Sequence, residues 1–88
     1  MAAYRFHVRG RVQGVGYRYY ALREAEGRRL TGYVRNLADG SVEVVAEGSD
    51  EGLKDLEDRL REGPAFSHVD SVERQPIASR GDLGFHIR

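Results

Sequence analysis

The sequence predicts an α+β fold: a ferredoxin-like βαββαβ sandwich, with two helices on one face of an antiparallel sheet and a short terminal strand. Three observations predict it. The chain opens on strict polar–apolar alternation, two helix-like stretches each lie between strand-like segments, and an Asp-Gly pair sits midway through the chain.

The first strand is "YRFHVRGRV", Tyr4 to Val12, where Tyr4, Phe6, Val8 and Val12 share one face and Arg5, His7, Arg9 and Arg11 the other. Period two over this length marks a strand buried on one side only, which favours an antiparallel sheet. Residues 19–28, "YYALREAEGR", are rich in helix formers, with Tyr20, Ala21, Glu24 and Ala25 spaced for one partly apolar face. "LTGYVRNLADGSVEVVAEG" then reads as two short strands around Asp39-Gly40, a pair expected to supply the positive φ angles of a tight hairpin. A second helix is expected over 50–62. Ser49 is its N-cap, Asp50 and Glu51 suit the positive end of its dipole, Gly63-Pro64 stops it, and Leu53, Leu56 and Leu60 form its core stripe. "HVDSVERQPI" reads as the fourth strand and "GFHIR" as the short last one.

A chain of 88 residues makes one domain, 1–88, with one core. Fourteen basic and 14 acidic side chains balance, which argues against a nucleic-acid binder held by a general positive field. The absence of cysteine excludes disulfides, thiol catalysis and thiolate metal sites. No apolar run approaches the roughly 18 residues of a membrane span, and "MAAYRFHVRG" is too polar for a signal peptide. A cytoplasmic monomer is the expectation, with no membrane and no nucleic acid among its partners.

The stretch "GRVQGVGYR", Gly10 to Arg18, places three glycines between a strand's end and a helix's start. Glycine content alone fits a plain connection as well as an anion cradle, and the spacing matches neither a dinucleotide fingerprint nor a Walker A loop. Position favours the cradle. Free N–H groups at a helix start point outward, and the dipole there favours negative charge. Arg18 falls in that first turn, where a cation is disfavoured unless an anion lies between. A guanidinium fork also suits two phosphate oxygens.

"VRGRVQGVGYR" (Val8–Arg18) resembles the signature loop of the acylphosphatases, and "GYVRNLADGSVEVVAEG" (Gly32–Gly48) resembles that family's second signature. The resemblance extends over essentially the whole chain. It implies a metal-free hydrolase, without cofactor, that splits acyl phosphates into a carboxylate and inorganic phosphate. It implies that Arg18 binds the phosphate and that Gln13, Gly14, Val15, Gly16 and Tyr17 hold its oxygens through backbone N–H groups. Asn36 would position the attacking water; alone, it reads as a turn former ahead of "LADG". Tyr17 stands where the family usually has Phe or Met, and its hydroxyl must find a partner. Tyr33 stands where Trp is frequent. The acyl end would face solvent, with few demands on its structure.

The remaining candidates read as structural. His7, His68 and His86 lack metal-ligand spacing, so no metal site is expected. The row Arg5, His7, Arg9 and Arg11 is expected to pair with Glu43 and Glu47 across strands, and Tyr19 and Tyr20 to pack between helix and sheet. Two rivals share the fold. An RNA-recognition module would need an aromatic segment that "GSVEVVAEG" lacks. An accessory domain of a larger carbamoyl-transferring protein is disfavoured by a chain that starts at Met1 and stops with its last strand.

Overall fold

The computed structural model describes residues 1–88 as β1 (Ala2–Arg11), α1 (Tyr17–Gly27), β2 (Thr31–Asn36), β3 (Val42–Gly48), α2 (Asp50–Glu62), β4 (His68–Pro76) and β5 (Phe85–Ile87). The five strands lie in the order β4-β1-β3-β2-β5. Pairing is antiparallel except between β2 and β5, which run parallel, so the sheet is mixed rather than antiparallel throughout. The physical reason is the last connection. The chain leaves β4 at one edge and reverses once on its way to the other, and that direction matches β2.

Local chemistry explains most boundaries. Strand β1 starts two residues before Tyr4, because Ala2 and Ala3 pair with Gly48 and Glu47. α1 begins at Tyr17, earlier than helix formers alone indicate. α2 runs as expected, with the Ser49 hydroxyl accepting the Gly52 N–H at 3.0 Å, acidic residues in its first turn and Arg59 and Arg61 in its last. The β2–β3 connection is looser than a two-residue hairpin. Only Gly40 takes a positive φ there; Asp39 instead accepts the Ser41 N–H at 3.0 Å, and the Leu37 N–H closes the turn on the Ser41 carbonyl at 2.8 Å.

Both helices cover one face of the sheet. Phe6, Val8, Val34, Val42, Val44 and Ala46 meet Ala21 and Ala25 of α1 and Leu53, Leu56 and Leu60 of α2 in one buried cluster. The other face is charged. Glu43 accepts from Arg35 at 2.7 Å and from the Tyr33 hydroxyl at 3.1 Å, and lies 2.9 Å from Arg5. Burial pushes its carboxyl up, but the hydrogen bonds from Arg35 and Tyr33 outweigh that and hold it below the usual range. Arg9 pairs with Glu73 of β4. Glu47 does not join the basic row. The Ser79 hydroxyl and the N–H groups of Arg80 and Gly81 bind it instead, which lowers its pKa and pins the β4–β5 connection across the sheet.

The three neighbouring tyrosines divide sharply. Tyr17 is buried and its hydroxyl donates to the Leu60 carbonyl at 2.7 Å, while Tyr20 donates to the Arg59 carbonyl at 2.7 Å. Residue 64 is proline, so Leu60 lacks the N–H that would normally follow it in the helix ladder. The Tyr17 hydroxyl fills that gap, and burial pushes its pKa far up. Tyr20 thus packs helix to helix rather than helix to sheet. Tyr19 does neither, being 60% exposed.

Replacing Tyr17 with Phe leaves the Leu60 carbonyl without its donor, which is expected to destabilise the fold by about 1–2 kcal/mol. A urea titration measures this as a lower midpoint at unchanged slope; an unmoved midpoint would show that the hydroxyl contributes nothing.

Candidate active site

The two helices start in opposite ways. α2 has a side-chain cap and two acidic residues; α1 has Gly16 at its N-cap, no side-chain cap and no acidic residue in its first turn. The backbone N–H groups of Gly14, Val15 and Gly16 donate to no other backbone group, and the Tyr20 N–H is the first to close the α1 ladder, on Gly16 at 3.0 Å. A run of unsatisfied donors at the positive end of a dipole favours an anion over a cation or an apolar group.

Gly14 and Gly16 make this geometry possible, with φ of 73° and 81°. A Cβ built on either meets nothing within 4 Å. Glycine is therefore needed for its backbone angle, and the space above the loop is open rather than filled by protein.

Arg18 stands in the first turn of α1, exposed and in no ion pair. Asn36 ends β2, half-buried, and its Oδ1 is buried with no hydrogen-bond partner. An unpaired acceptor in such surroundings is costly unless something donates to it. Arg18 and Asn36 line one cavity of about 220 Å³ together with Gly14, Gly16, Tyr17, Val12, Tyr19 and Ile87. Residues from a loop, a helix and two strands thus converge on one small hollow of mixed polar and apolar lining.

Gln13 and Val15 do not line it. The Gln13 amide donates to the carbonyls of Leu37 at 2.8 Å and Ser41 at 2.9 Å, tying the loop to the turn that follows Asn36. That tie fixes the spacing between the N–H cradle and Asn36. Val15 packs partly against the core. Tyr17 reaches the hollow, but its ring is buried and its hydroxyl is committed to Leu60. The sequence pattern does not mark Val12, Tyr19 and Ile87 as lining residues. Val12 lies within the first motif, Tyr19 just beyond its end, and Ile87 far outside both. No three His, Asp or Glu side chains come together as a metal-ligand group.

A sequence model of the acylphosphatase family matches residues 4–87. An acylphosphatase of Moorella thermoacetica is 48% identical, the match covering 94% of this chain and 89% of that protein. One of Solibacter usitatus is 50% identical over 98% of this chain and 90% of its own length. The crystal structure of acylphosphatase from Bacillus subtilis superposes with a TM-score of 0.97 at 40% identity, covering 100% of this chain and 99% of that one.

If the glycine angles hold the cradle open, Gly16→Val forces a β-branched residue into the left-handed region at roughly 1–3 kcal/mol. Inorganic phosphate is expected to raise the melting temperature of the unmodified protein, and the variant to stay folded while losing that rise. A folded variant that keeps the full phosphate-induced shift would show that the loop does not bind the anion.

Proposed function

The chain belongs to the acylphosphatase family, enzymes that split an acyl phosphate into a carboxylate and inorganic phosphate, and we propose that the 13–18 loop, Arg18 and Asn36 carry that reaction here. The observation that supports the assignment is convergence. A loop with free N–H groups, an unpaired guanidinium and Asn36, whose buried amide oxygen has no partner, border one hollow.

In this reading the phosphoryl group sits over the first turn of α1. The N–H groups from Gly14 to Tyr17 and the fork of Arg18 hold its non-bridging oxygens. The Asn36 Oδ1 accepts a hydrogen bond from water, which turns a water lone pair toward phosphorus. Water attacks, the bond from phosphorus to the acyl oxygen breaks, and the electron pair leaves with the carboxylate. A phosphoryl oxygen takes the water's proton, so no side-chain base is needed. Phosphoryl transfer passes through a loose transition state, and a carboxylate leaves readily; positioning and charge stabilisation therefore supply most of the rate. Gln13 acts on this arrangement at one remove, by holding the loop against the turn after Asn36.

The positive charge that a metal ion would bring is assigned to Arg18 and the N–H cradle, so the proposed reaction is metal-independent and uses no cofactor. The proposal further takes residues 1–88 as one domain working as a cytoplasmic monomer. Internal pairing of the charged sheet face, Arg5 and Arg35 with Glu43 and Arg9 with Glu73, supports the monomer. No helix is long and apolar enough to cross a membrane.

A spectrophotometric assay of benzoyl phosphate hydrolysis in excess chelator tests the reaction directly. Full turnover without added metal is expected; activity lost to chelator and restored by one metal would refute the mechanism. The two side chains separate by kinetics. Arg18→Ala is expected to lose phosphate binding and turnover together, on the order of 10³-fold in rate, with little rescue by Arg18→Lys. Folded Asn36→Ala should lose kcat severely while inhibition by phosphate stays within about threefold, the pattern of an interaction made mainly in the transition state. The reverse pattern would exchange the two roles.

A further inference from the structure

Tyr19 is a large aromatic side chain that the fold does not use. It is 60% exposed, its hydroxyl makes no hydrogen bond, and it lies outside the core cluster, unlike Tyr17 on one side and Tyr20 on the other. Yet it lines the hollow that holds Arg18 and Asn36. It also lines a second cavity of about 370 Å³, together with Val15, Gly16, Tyr20, Arg23, Glu24 and Pro64, the Glu24 carboxylate being paired with Arg28 at 2.8 Å. Gly16 and Tyr19 are common to both, so the two spaces adjoin at the start of α1.

Their sides differ. Asn36 ends β2, and Ile87 stands on β5 opposite Val34 of the same strand, so both mark the β2/β5 flank of the site. The second cavity lies on the other flank, where Tyr20 reaches the α2 carbonyl of Arg59 and Pro64 follows that helix. In phosphoryl transfer the attacking and leaving oxygens stand roughly in line across phosphorus. Water held by Asn36 approaches from the β2/β5 flank. The leaving carboxylate must then depart toward the second cavity.

Building on the assignment of Asn36 to the water, we propose that this second cavity receives the acyl group and that Tyr19 is its specificity-determining residue. The exposed Tyr19 face offers an aromatic acyl group a stacking surface that a methyl group cannot use. Val15, partly buried against the core, supplies an apolar base beside it. The guanidinium of Arg23, 5.8 Å from the centre of the Tyr19 ring, borders the same space. The acyl end therefore meets a wall, rather than solvent alone.

The test compares benzoyl phosphate with acetyl phosphate, and adds inorganic phosphate as an inhibitor. The unmodified enzyme should favour the benzoyl substrate. Tyr19→Ala is expected to lower the benzoyl-to-acetyl ratio of kcat/KM about tenfold, the size of one lost aromatic contact. The phosphate inhibition constant should move less than about twofold, and Tyr19→Phe should keep the ratio because the hydroxyl has no partner. Since Tyr19 is exposed, the variants should melt within a few degrees of the parent. An unchanged ratio in Tyr19→Ala, an equal loss on both substrates, or a ratio that moves instead in Ile87→Ala would each overturn the proposal. Failure of the unmodified protein to hydrolyse either substrate is a separate result. It would remove the activity itself, and the subsite with it.

Discussion

The backbone reversal at Gly16, with φ 81° and ψ 16°, carries the chain from β1 into α1 without a capping side chain. The N–H groups at the start of the helix are thereby left without acceptors in the protein. In most helices such groups are satisfied by a cap, as Ser49 does for α2. Here the missing cap, the missing acidic residues and the presence of Arg18 point the same way. Each is mildly unfavourable for an isolated helix, and together they suit a site completed by an anion.

A cradle made of backbone is useful only if it stays where it is. Three side chains perform that task from different directions. Gln13 ties the loop to the turn beyond Asn36, and the hydroxyls of Tyr17 and Tyr20 tie α1 to the carbonyl end of α2. The last two serve both partners. Pro64 deprives Leu60 of its usual donor, so α2 needs the Tyr17 hydroxyl as much as α1 needs the anchor. Loop, helix and Asn36 are thus held in one frame by side chains committed to backbone carbonyls.

The opposite sheet face shows how far that frame extends. Glu47 receives hydrogen bonds from Ser79, Arg80 and Gly81, and this fixes the long connection that delivers β5 to the β2 edge. The guanidiniums of Arg80 and Arg88 lie 5.3 Å and 3.9 Å from the centre of the Tyr33 ring, which holds the same segment down. β5 is only three residues long and brings Ile87 to the site wall. So short a strand gains little from its own pairing and depends on these contacts for its position.

The order of elements was legible in the sequence because it depends on local periodicity: alternation in β1, the Leu53, Leu56 and Leu60 stripe, the Ser49 cap and the Gly63-Pro64 stop are all written within a few residues of where they act. Gly14, Gly16, Arg18 and Asn36 were legible as candidates because their motifs lie whole within short segments. What only the tertiary structure decided is long-range. The parallel pairing of β5 follows from the path of the last connection, and Glu47 turned from the basic row to the Ser79 loop because that path brought donors to it. The same holds for three neighbouring tyrosines in one helix. Helix periodicity gives each a direction, but only the packing of α2 against α1 supplies carbonyls to Tyr17 and Tyr20. It leaves Tyr19 facing open space beside the cradle.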